Sequence, residues 1–219
     1  MKSHNEIIDL VLDALFCDEN SNYVLKGGTA LALCYKLDRV SEDIDLDAPG
    51  RDCEKNNRLF IALKELAAEY DYSLRIAKDT DTVKRALLHY GGEKPLKIEL
   101  SLRRIEIPSS ETTIINGIKV YTIDALCLMK TSAYLSRDTL RDLYDLTFIL
   151  DKYYDALTSE TLRTVQNAFE YKDLAQFDYL VKTQDDSLID KDILLSRFLQ
   201  AHERLGLTWE QDNNPVADR

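Results

Sequence analysis

The sequence predicts an α+β fold: a mixed sheet with flanking helices, followed by a helical C-terminal half. Up to about residue 120, short β-branched runs alternate with segments of helical spacing. From Asp124 onward the strand signals stop, and the apolar residues recur with the period of a helix. We therefore expect an α/β domain at residues 1–120 and a helical domain at residues 121–219.

The N-terminal half is expected to hold both helices and strands. Helices are predicted at residues 3–16, 29–37 and 54–70. Strands are predicted in "YVLK", "DIDLDA", "YSLRIAK", "TVKRALLHY", "LKIELSLR" and "TTIINGIKVYTI". The last of these contains Asn116-Gly117 between β-branched runs, which is a strong hairpin signal.

The C-terminal half is expected to hold four helices. They are predicted in "TIDALCLMKTSAYLSR", "TLRDLYDLTFILDKYY", "SETLRTVQNAFEY" and "DKDILLSRFLQAHERL". Thr122 and Ser159 are predicted N-caps, because a hydroxyl there can accept from the first free N–H groups of a helix.

The charge balance limits the partners of the protein. Lys and Arg number 28 against 39 Asp and Glu, which gives a net charge of −11. A general nucleic-acid binder should be basic, so this balance argues against a broad phosphate-binding surface. Any nucleic-acid substrate must be held by a local basic patch or by a basic partner.

Cysteine usage and hydropathy indicate the cellular setting. Cys17, Cys34, Cys53 and Cys127 lie far apart with no CxxC spacing, so neither a zinc site nor a disulfide framework is expected. No apolar run approaches the roughly 18 residues of a membrane span. We expect a cytoplasmic protein with reduced cysteines and no membrane partner.

Two adjacent glycines, Gly27 and Gly28, separate a predicted strand from a predicted helix. Glycines there allow a sharp turn and a close approach to a ligand, and the start of the helix suits a phosphate. The pair matches neither GxxxxGK[ST] nor GxGxxG. By itself it is also compatible with plain turn chemistry.

Three acids alternate with apolar residues in "DIDLDA". Asp43, Asp45 and Asp47 share one face of a strand, because residues i and i+2 point the same way. Carboxylates so close repel one another, and one pKa rises unless a cation lies between them. A solvated edge strand, where salt screens the repulsion, is the alternative interpretation.

A later strand offers a further carboxylate. Glu99 in "KIEL" is an isolated acid between Ile98 and Leu100. If this strand pairs beside "DIDLDA", Asp43, Asp45 and Glu99 converge. Ligands that are all oxygen favour Mg²⁺ or Mn²⁺.

Five segments, in this order, resemble the AbiEii/AbiGii-type nucleotidyltransferase toxins, which belong to the superfamily built on the DNA polymerase β core. They are "LKGGTALAL", "RVSEDIDL", "KIEL", "LMKTSAYLSR" and "RDLYDL". The resemblance implies a nucleotidyltransferase-fold sheet followed by a helical half. It also implies a metal-dependent enzyme that transfers NMP from an NTP to an acceptor hydroxyl. The acceptor would be RNA or tRNA, and a cognate antitoxin would restrain the activity.

The resemblance assigns roles in the α/β half. Asp43, Asp45 and Glu99 would ligate Mg²⁺ or Mn²⁺, and Glu99 could act as the base toward the attacking hydroxyl. The nucleotide's phosphates would be held by five residues: Gly27, Gly28, Thr29, Arg39 and Ser41. The family needs only the first two acids of "DIDLDA", so Asp47 receives no role.

The resemblance also assigns roles in the helical half. Lys130 and Arg137 would meet the triphosphate; they are seven residues apart, two helical turns, and so share a face. Asp142 and Asp145 would form the final acidic motif. The alternative is a solvated helix surface, with exposed cations and with the two acids paired to Arg141 or Lys152.

The sequence is also compatible with two other functions. An aminoglycoside-like nucleotidyltransferase would modify a small cationic substrate, which the acidic surface suits. A non-catalytic nucleotide-binding or interaction module could share the fold. The complete set of acids together with Lys130 argues against such a module, because a protein that only binds has no need to keep like charges together.

Overall fold

The computed structural model describes residues 2–17, 21–50 and 58–207. The chain forms two compact units, one ending at Lys130 and the other beginning at Thr131. The assignment of domains to residues 1–120 and 121–219 stays a prediction. No helix in the described ranges is both long enough and apolar enough to cross a membrane.

The first unit contains a seven-stranded mixed sheet and flanking helices, as the sequence predicts. Its strands are β1 Val24–Lys26, β2 Asp43–Asp47, β3 Ser73–Asp79, β4 Val83–His89, β5 Leu96–Ser101, β6 Thr112–Ile115 and β7 Ile118–Tyr121. Its helices are α1 His4–Phe16, α2 Gly27–Tyr35, α3 Arg58–Glu69 and the first part of α4 Ile123–Ser136. A short 3₁₀ turn at Ser109–Glu111 precedes β6.

The strand order is β3-β4-β5-β2-β1-β7-β6, which places β2 at the centre of the sheet. β2 runs parallel to β5 and antiparallel to β1. Ile44 and Leu46 of β2 and Ile98 and Leu100 of β5 are fully buried. Apolar residues thus fix one face of these two strands in the core and leave the intervening polar residues on the other face.

The β6–β7 hairpin is confirmed. Asn116 and Gly117 both have positive φ, at 51° and 80°. Two consecutive residues with positive φ match the twist of the flanking strands, which is why Asn-Gly is favoured in this turn.

The helix boundaries differ from the predictions at specific points. α2 begins at Gly27, two residues before the expected start, so the glycine pair is the first part of the helix. The predicted helix at 54–70 is observed from Arg58, and residues 54–57 lie outside the described ranges. Cys53 lies outside them too; within the described ranges, Cys17, Cys34 and Cys127 take part in no disulfide.

The second unit is helical. After the end of α4 it contains α5 Leu140–Tyr153, a 3₁₀ turn at Tyr154–Ala156, α6 Ser159–Tyr171, α7 Leu174–Thr183 and α8 Lys191–Arg204. The sequence did not predict α7. Its buried residues are Phe177 and Leu180, so its apolar pattern is short.

The N-caps show how these helices start. Thr122 Oγ1 accepts from the Ala125 N–H at 3.3 Å, as predicted. For α6, the prediction was wrong by one residue. Thr158 rather than Ser159 is the cap, because its hydroxyl accepts from the Thr161 N–H at 3.2 Å.

An aromatic cluster holds the helical unit together. Phe198 stacks on Phe177 with ring centroids 4.0 Å apart and contacts His202 at 4.3 Å. His202 Nδ1 lies 3.0 Å from the Phe198 carbonyl, and the ring is almost fully buried. Burial lowers the pKa of His202, although the hydrogen bond to Phe198 opposes this effect.

We predict that acid destabilises this unit through His202. As the pH falls through about 6.5, the unfolded chain takes up a proton that the buried imidazole refuses, so the free energy of unfolding decreases. His202→Phe removes the titrating group and keeps a ring in the cluster. Urea unfolding at pH 7.5 and 5.5, followed by far-UV circular dichroism, should show a smaller loss in this variant than in the wild type. An equal loss in both proteins would contradict the assignment.

Candidate active site

The predicted pairing of "KIEL" beside "DIDLDA" is confirmed. β2 and β5 are parallel neighbours, with Asp45 opposite Glu99 and Asp43 opposite Lys97. Residues directly opposite each other in a sheet lie on the same face, close enough to interact. Asp43, Asp45 and Glu99 therefore share one half-buried face at the centre of the sheet.

Basic side chains contact two of these acids. The Lys97 ammonium lies 2.6 Å from Asp43 Oδ2. Arg85, opposite Glu99 on the antiparallel strand β4, approaches Glu99 Oε2 at 2.7 Å through Nε and at 2.5 Å through Nη2. Sequence reasoning missed both cations. Lys97 was visible two residues before Glu99, whereas Arg85 depends on a register that no local pattern specifies.

The electrostatics of the face are those of crowded carboxylates. The pKa of Asp45 is raised, first by burial and then by the charges of Asp43 and Glu99, while Lys97 and Lys26 oppose the shift. Partial burial of Lys97 acts to lower the pKa of its ammonium group. The hydrogen bond to Asp43 and the charges of the three acids outweigh it and raise the pKa of Lys97. The three acids thus favour the charged form of Lys97, and Lys97 in turn offsets part of the rise in the pKa of Asp45.

The donor set has the chemistry that a hard divalent cation requires. All three side chains offer carboxylate oxygens, which suit Mg²⁺ or Mn²⁺. Within the described ranges, however, no three His, Cys, Asp or Glu side chains are arranged to hold a metal ion. Asp43 and Glu99 are instead engaged by Lys97 and Arg85. The assignment of the metal ligands stays a prediction.

The glycine turn lies directly against these acids. Gly27 has φ +73°, and a Cβ there would come within 3.0 Å of Asp45 Oδ2. A Cβ on Gly28 would meet Arg39 Nη2 at 2.9 Å and Ser41 Oγ at 3.1 Å. The two glycines therefore let the start of α2 approach the acid face and the predicted phosphate-binding side chains.

Thr29 fixes this turn to β2. Its buried hydroxyl contacts the Asp43 carbonyl and lies 2.8 Å from Ser41 Oγ. The hydroxyl has one proton, so donation to the carbonyl leaves it as acceptor toward Ser41. The nearby Arg39 is also buried, and its Nη1 donates to the Val40 carbonyl at 3.0 Å. These contacts bring together the residues assigned to phosphate binding; their roles stay predictions.

Asp47 has a different environment from the two acids before it. It is buried, pairs with the Lys26 ammonium at 2.5 Å and accepts from the Tyr121 hydroxyl at 2.8 Å. That hydroxyl in turn accepts from Arg104 Nη1 at 3.2 Å, and Arg104 forms a two-point pair with Glu111. A carboxylate with these partners has a structural role.

Lys130 is a buried residue of α4, with about one tenth of its surface exposed. A lysine ammonium is costly to bury unless it has an anionic or hydrogen-bonding partner. The alternative interpretation, a solvated lysine on a helix surface, is wrong. Its predicted role at a triphosphate stays open.

Arg137 and Asp142 meet in the second unit. Arg137 Nε and Nη2 donate to the two oxygens of Asp142 at 2.6 and 3.0 Å, and Thr139 Oγ1 donates to Oδ2 at 2.5 Å. Asp142 and Asp145 are both fully buried. Their burial contradicts the solvated-surface alternative for these two acids; of the cations named in it, Arg141 pairs with Asp186 and Lys152 pairs with Asp151.

Residues 11–215 match the family described as Nucleotidyl transferase AbiEii toxin, Type IV TA system. The chain belongs to this family. A search of curated proteins found no match for this AbiEii-family chain.

Solved structures share the fold of this chain. JHP933 from Helicobacter pylori is 26% identical, with a TM-score of 0.71 over 93% of this chain and 92% of that one. MenT4, the nucleotidyltransferase toxin Rv2826c from Mycobacterium tuberculosis H37Rv, is 16% identical, with a TM-score of 0.54 over 94% of this chain and 84% of that one. At 16% identity, the similarity to MenT4 supports a nucleotidyltransferase fold for this chain.

We predict opposite stability effects for Asp45→Asn and Asp47→Asn in this AbiEii-family protein. The raised pKa of Asp45 means that its ionised form opposes folding at neutral pH, so Asp45→Asn should leave the melting temperature unchanged or raise it. Asp47→Asn removes the charge of the buried carboxylate that pairs with the half-buried Lys26, and should cost about 1–3 kcal/mol. Thermal unfolding in EDTA at pH 7.5 measures both. A large loss in Asp45→Asn would reveal a stabilising partner for Asp45.

Proposed function

We propose that this AbiEii-family toxin is a metal-dependent nucleotidyltransferase that moves NMP from an NTP to an acceptor hydroxyl of RNA, such as the end of a tRNA. The observation that supports it best is the parallel register that sets Asp45 opposite Glu99, beside the Gly27 turn. The family supports the transferase and toxin parts of this proposal. The metal, the NTP and the RNA acceptor are our extension.

Asp43, Asp45 and Glu99 would hold the divalent cation, Mg²⁺ or Mn²⁺. A bound ion of this kind neutralises triphosphate charge and lowers the pKa of an acceptor hydroxyl. Asp43 and Asp45 lie on one strand, and Glu99 lies on its neighbour. Ligands on strands of one sheet are held with little freedom, which favours a small cation with strict geometry.

The glycine turn would bind the nucleotide. The first N–H groups of α2 have no partner in their own helix and carry the positive end of its dipole, so they suit phosphate oxygens. Gly27 and Gly28 add no Cβ that would keep a phosphate away. Arg39, buried behind Gly28, would add a positive charge.

Transfer then follows a direct displacement. The acceptor oxygen attacks the α-phosphorus, the bond from that phosphorus to the bridging oxygen breaks, and pyrophosphate leaves with the electron pair. Glu99 would take the acceptor's proton, once it is released from Arg85. Lys130, the last residue of the first unit, would contribute charge at the triphosphate. Within the second unit, Asp142 holds Arg137 through the pair described above.

The surface charge bears on the acceptor and the partner. Because the protein has a net charge of −11, it must hold RNA through a local basic group. Arg103 is exposed, whereas Arg104 is paired with Glu111, so Arg103 is the better candidate of the two. Membership of a type IV toxin–antitoxin family implies a cognate antitoxin that restrains the activity.

We predict label transfer from an α-labelled NTP to RNA. The protein is incubated with each of the four α-labelled NTPs and either total RNA or an aminoglycoside, with Mg²⁺, Mn²⁺ or EDTA. RNA products are separated on a denaturing gel and aminoglycoside products by thin-layer chromatography. Label should enter one RNA class with a divalent ion and not in EDTA. Asp45→Asn should abolish transfer, while Glu65→Gln, which removes an exposed carboxylate on α3, should not.

The other outcomes separate the alternatives. Label on an aminoglycoside and not on RNA would indicate the small-molecule enzyme. Absence of transfer with every NTP and both acceptors, in a protein that still binds NTP, would indicate the non-catalytic module. Equal transfer by the wild type and Asp45→Asn would remove the acid face from the mechanism.

We predict that Lys130→Met weakens NTP binding by about tenfold or more, since a close charge pair in a partly buried site contributes on the order of 1–2 kcal/mol. Lys64→Met, which removes an exposed lysine of α3, is the matched control. Calorimetric titration with an NTP in the presence of Mg²⁺ measures both affinities, after circular dichroism has shown that both variants fold. An unchanged affinity in Lys130→Met would exclude this residue from the nucleotide site.

A further inference from the structure

Two cations lie on strands next to two predicted metal ligands, directly opposite them in the register of the sheet. Lys97 is the cross-strand partner of Asp43, and Arg85 is the cross-strand partner of Glu99. The backbone register places each cation beside its acid. Both cations touch the oxygens that a metal would need.

We propose that Lys97 and Arg85 are built-in counter-ions that occupy the carboxylates of the metal-free protein and must leave them before a divalent cation can bind. The inference rests on the proposed function, because it takes Asp43, Asp45 and Glu99 as the ligand set. It gives Lys97 and Arg85 a role of their own, which is to set the affinity of the site for its metal.

The contacts of each carboxylate support this role. Asp43 Oδ2 is held by the Lys97 ammonium at 2.6 Å, and Glu99 Oε2 is held by Arg85 at 2.5 Å. An oxygen bound this closely to a cation cannot at the same time accept a metal without repulsion between the two positive charges.

Both ion pairs are partly exposed, so a metal ion from solvent can reach the carboxylates and replace the cations. The Lys97 side chain is 34% exposed and Asp43 is 40% exposed. Arg85 is 41% exposed and Glu99 is 27% exposed. Each cation can therefore turn away into solvent when a metal takes its place, whereas Lys26 is tied to the buried Asp47.

A cross-strand ion pair can also be purely structural, so the test must measure metal affinity. Mn²⁺ binding is followed by the electron paramagnetic resonance signal of free Mn²⁺, without nucleotide. Lys97→Met should bind Mn²⁺ about five- to tenfold more tightly than the wild type, because the competing charge is gone.

Lys94→Met is the matched control. It also removes one positive charge from the approach to β5, but the Lys94 ammonium lies 3.7 Å from Glu42, which is not in the ligand set. Its Mn²⁺ affinity should stay within about twofold of the wild type, as expected for an exposed, screened charge. Asp45→Asn, which removes a ligand, should lose binding.

The outcomes separate this inference from the proposed function. Equal or weaker Mn²⁺ binding in Lys97→Met, or the same tightening in Lys94→Met, would overturn the inference and leave the metal site in place. Failure of both the wild type and Lys97→Met to bind Mn²⁺ would overturn the metal site itself.

A second variant keeps the test independent of the folding of Lys97→Met. Arg85→Met frees Glu99 and should also tighten Mn²⁺ binding, with a lower melting temperature than the wild type in EDTA. Adding Mn²⁺ should raise its melting temperature more than that of the wild type, because a tighter ligand stabilises the folded state more at the same concentration. An Mn²⁺-induced shift no larger than in the wild type would contradict the counter-ion role.

Discussion

Repulsion between carboxylates on adjacent parallel strands is the constraint on which the rest of the first unit's site depends. Asp43, Asp45 and Glu99 are brought to one face because Ile44, Leu46, Ile98 and Leu100 must point into the core on the other. The same alternation that buries the apolar side chains therefore forces the acids together. The cations of the neighbouring strands are then required, because burial alone already disfavours a charged Asp45.

Within the five residues of β2, the acids divide into two kinds. Asp47 meets Lys26 and the Tyr121 hydroxyl and is shielded from solvent. Asp43 and Asp45 stay partly accessible beside the glycine turn. A strand with a single repeating pattern thus provides both a fixed internal anchor and a partly accessible pair of acids, and the difference comes from the partners on β1 and β7.

Local patterns predicted a large part of this structure. Alternation in "DIDLDA" and "KIEL" indicated strands. The isolated Glu99 between two apolar residues indicated an acid on the polar face of the second strand. The Asn116-Gly117 hairpin needs only two residues with positive φ, so the sequence shows it directly. Long-range information was missing. Arg85 meets Glu99 through the β4–β5 register, and Arg137 meets Asp142 through the turn between α4 and α5. The helix α7 was not predicted because its two buried side chains are too few to show a helical period in the sequence.

Gly28 differs from Gly27 in what a side chain at its position would meet. Its φ lies outside the left-handed region, and an added methyl would press on the terminal nitrogen of Arg39, the end of a flexible side chain, and on Ser41 Oγ. Alanine at position 28 would therefore displace the ends of Arg39 and Ser41, with no backbone strain and no change in net charge. Because every ionisable group is retained, any effect of this substitution comes from the positions of those two side chains and not from lost charge.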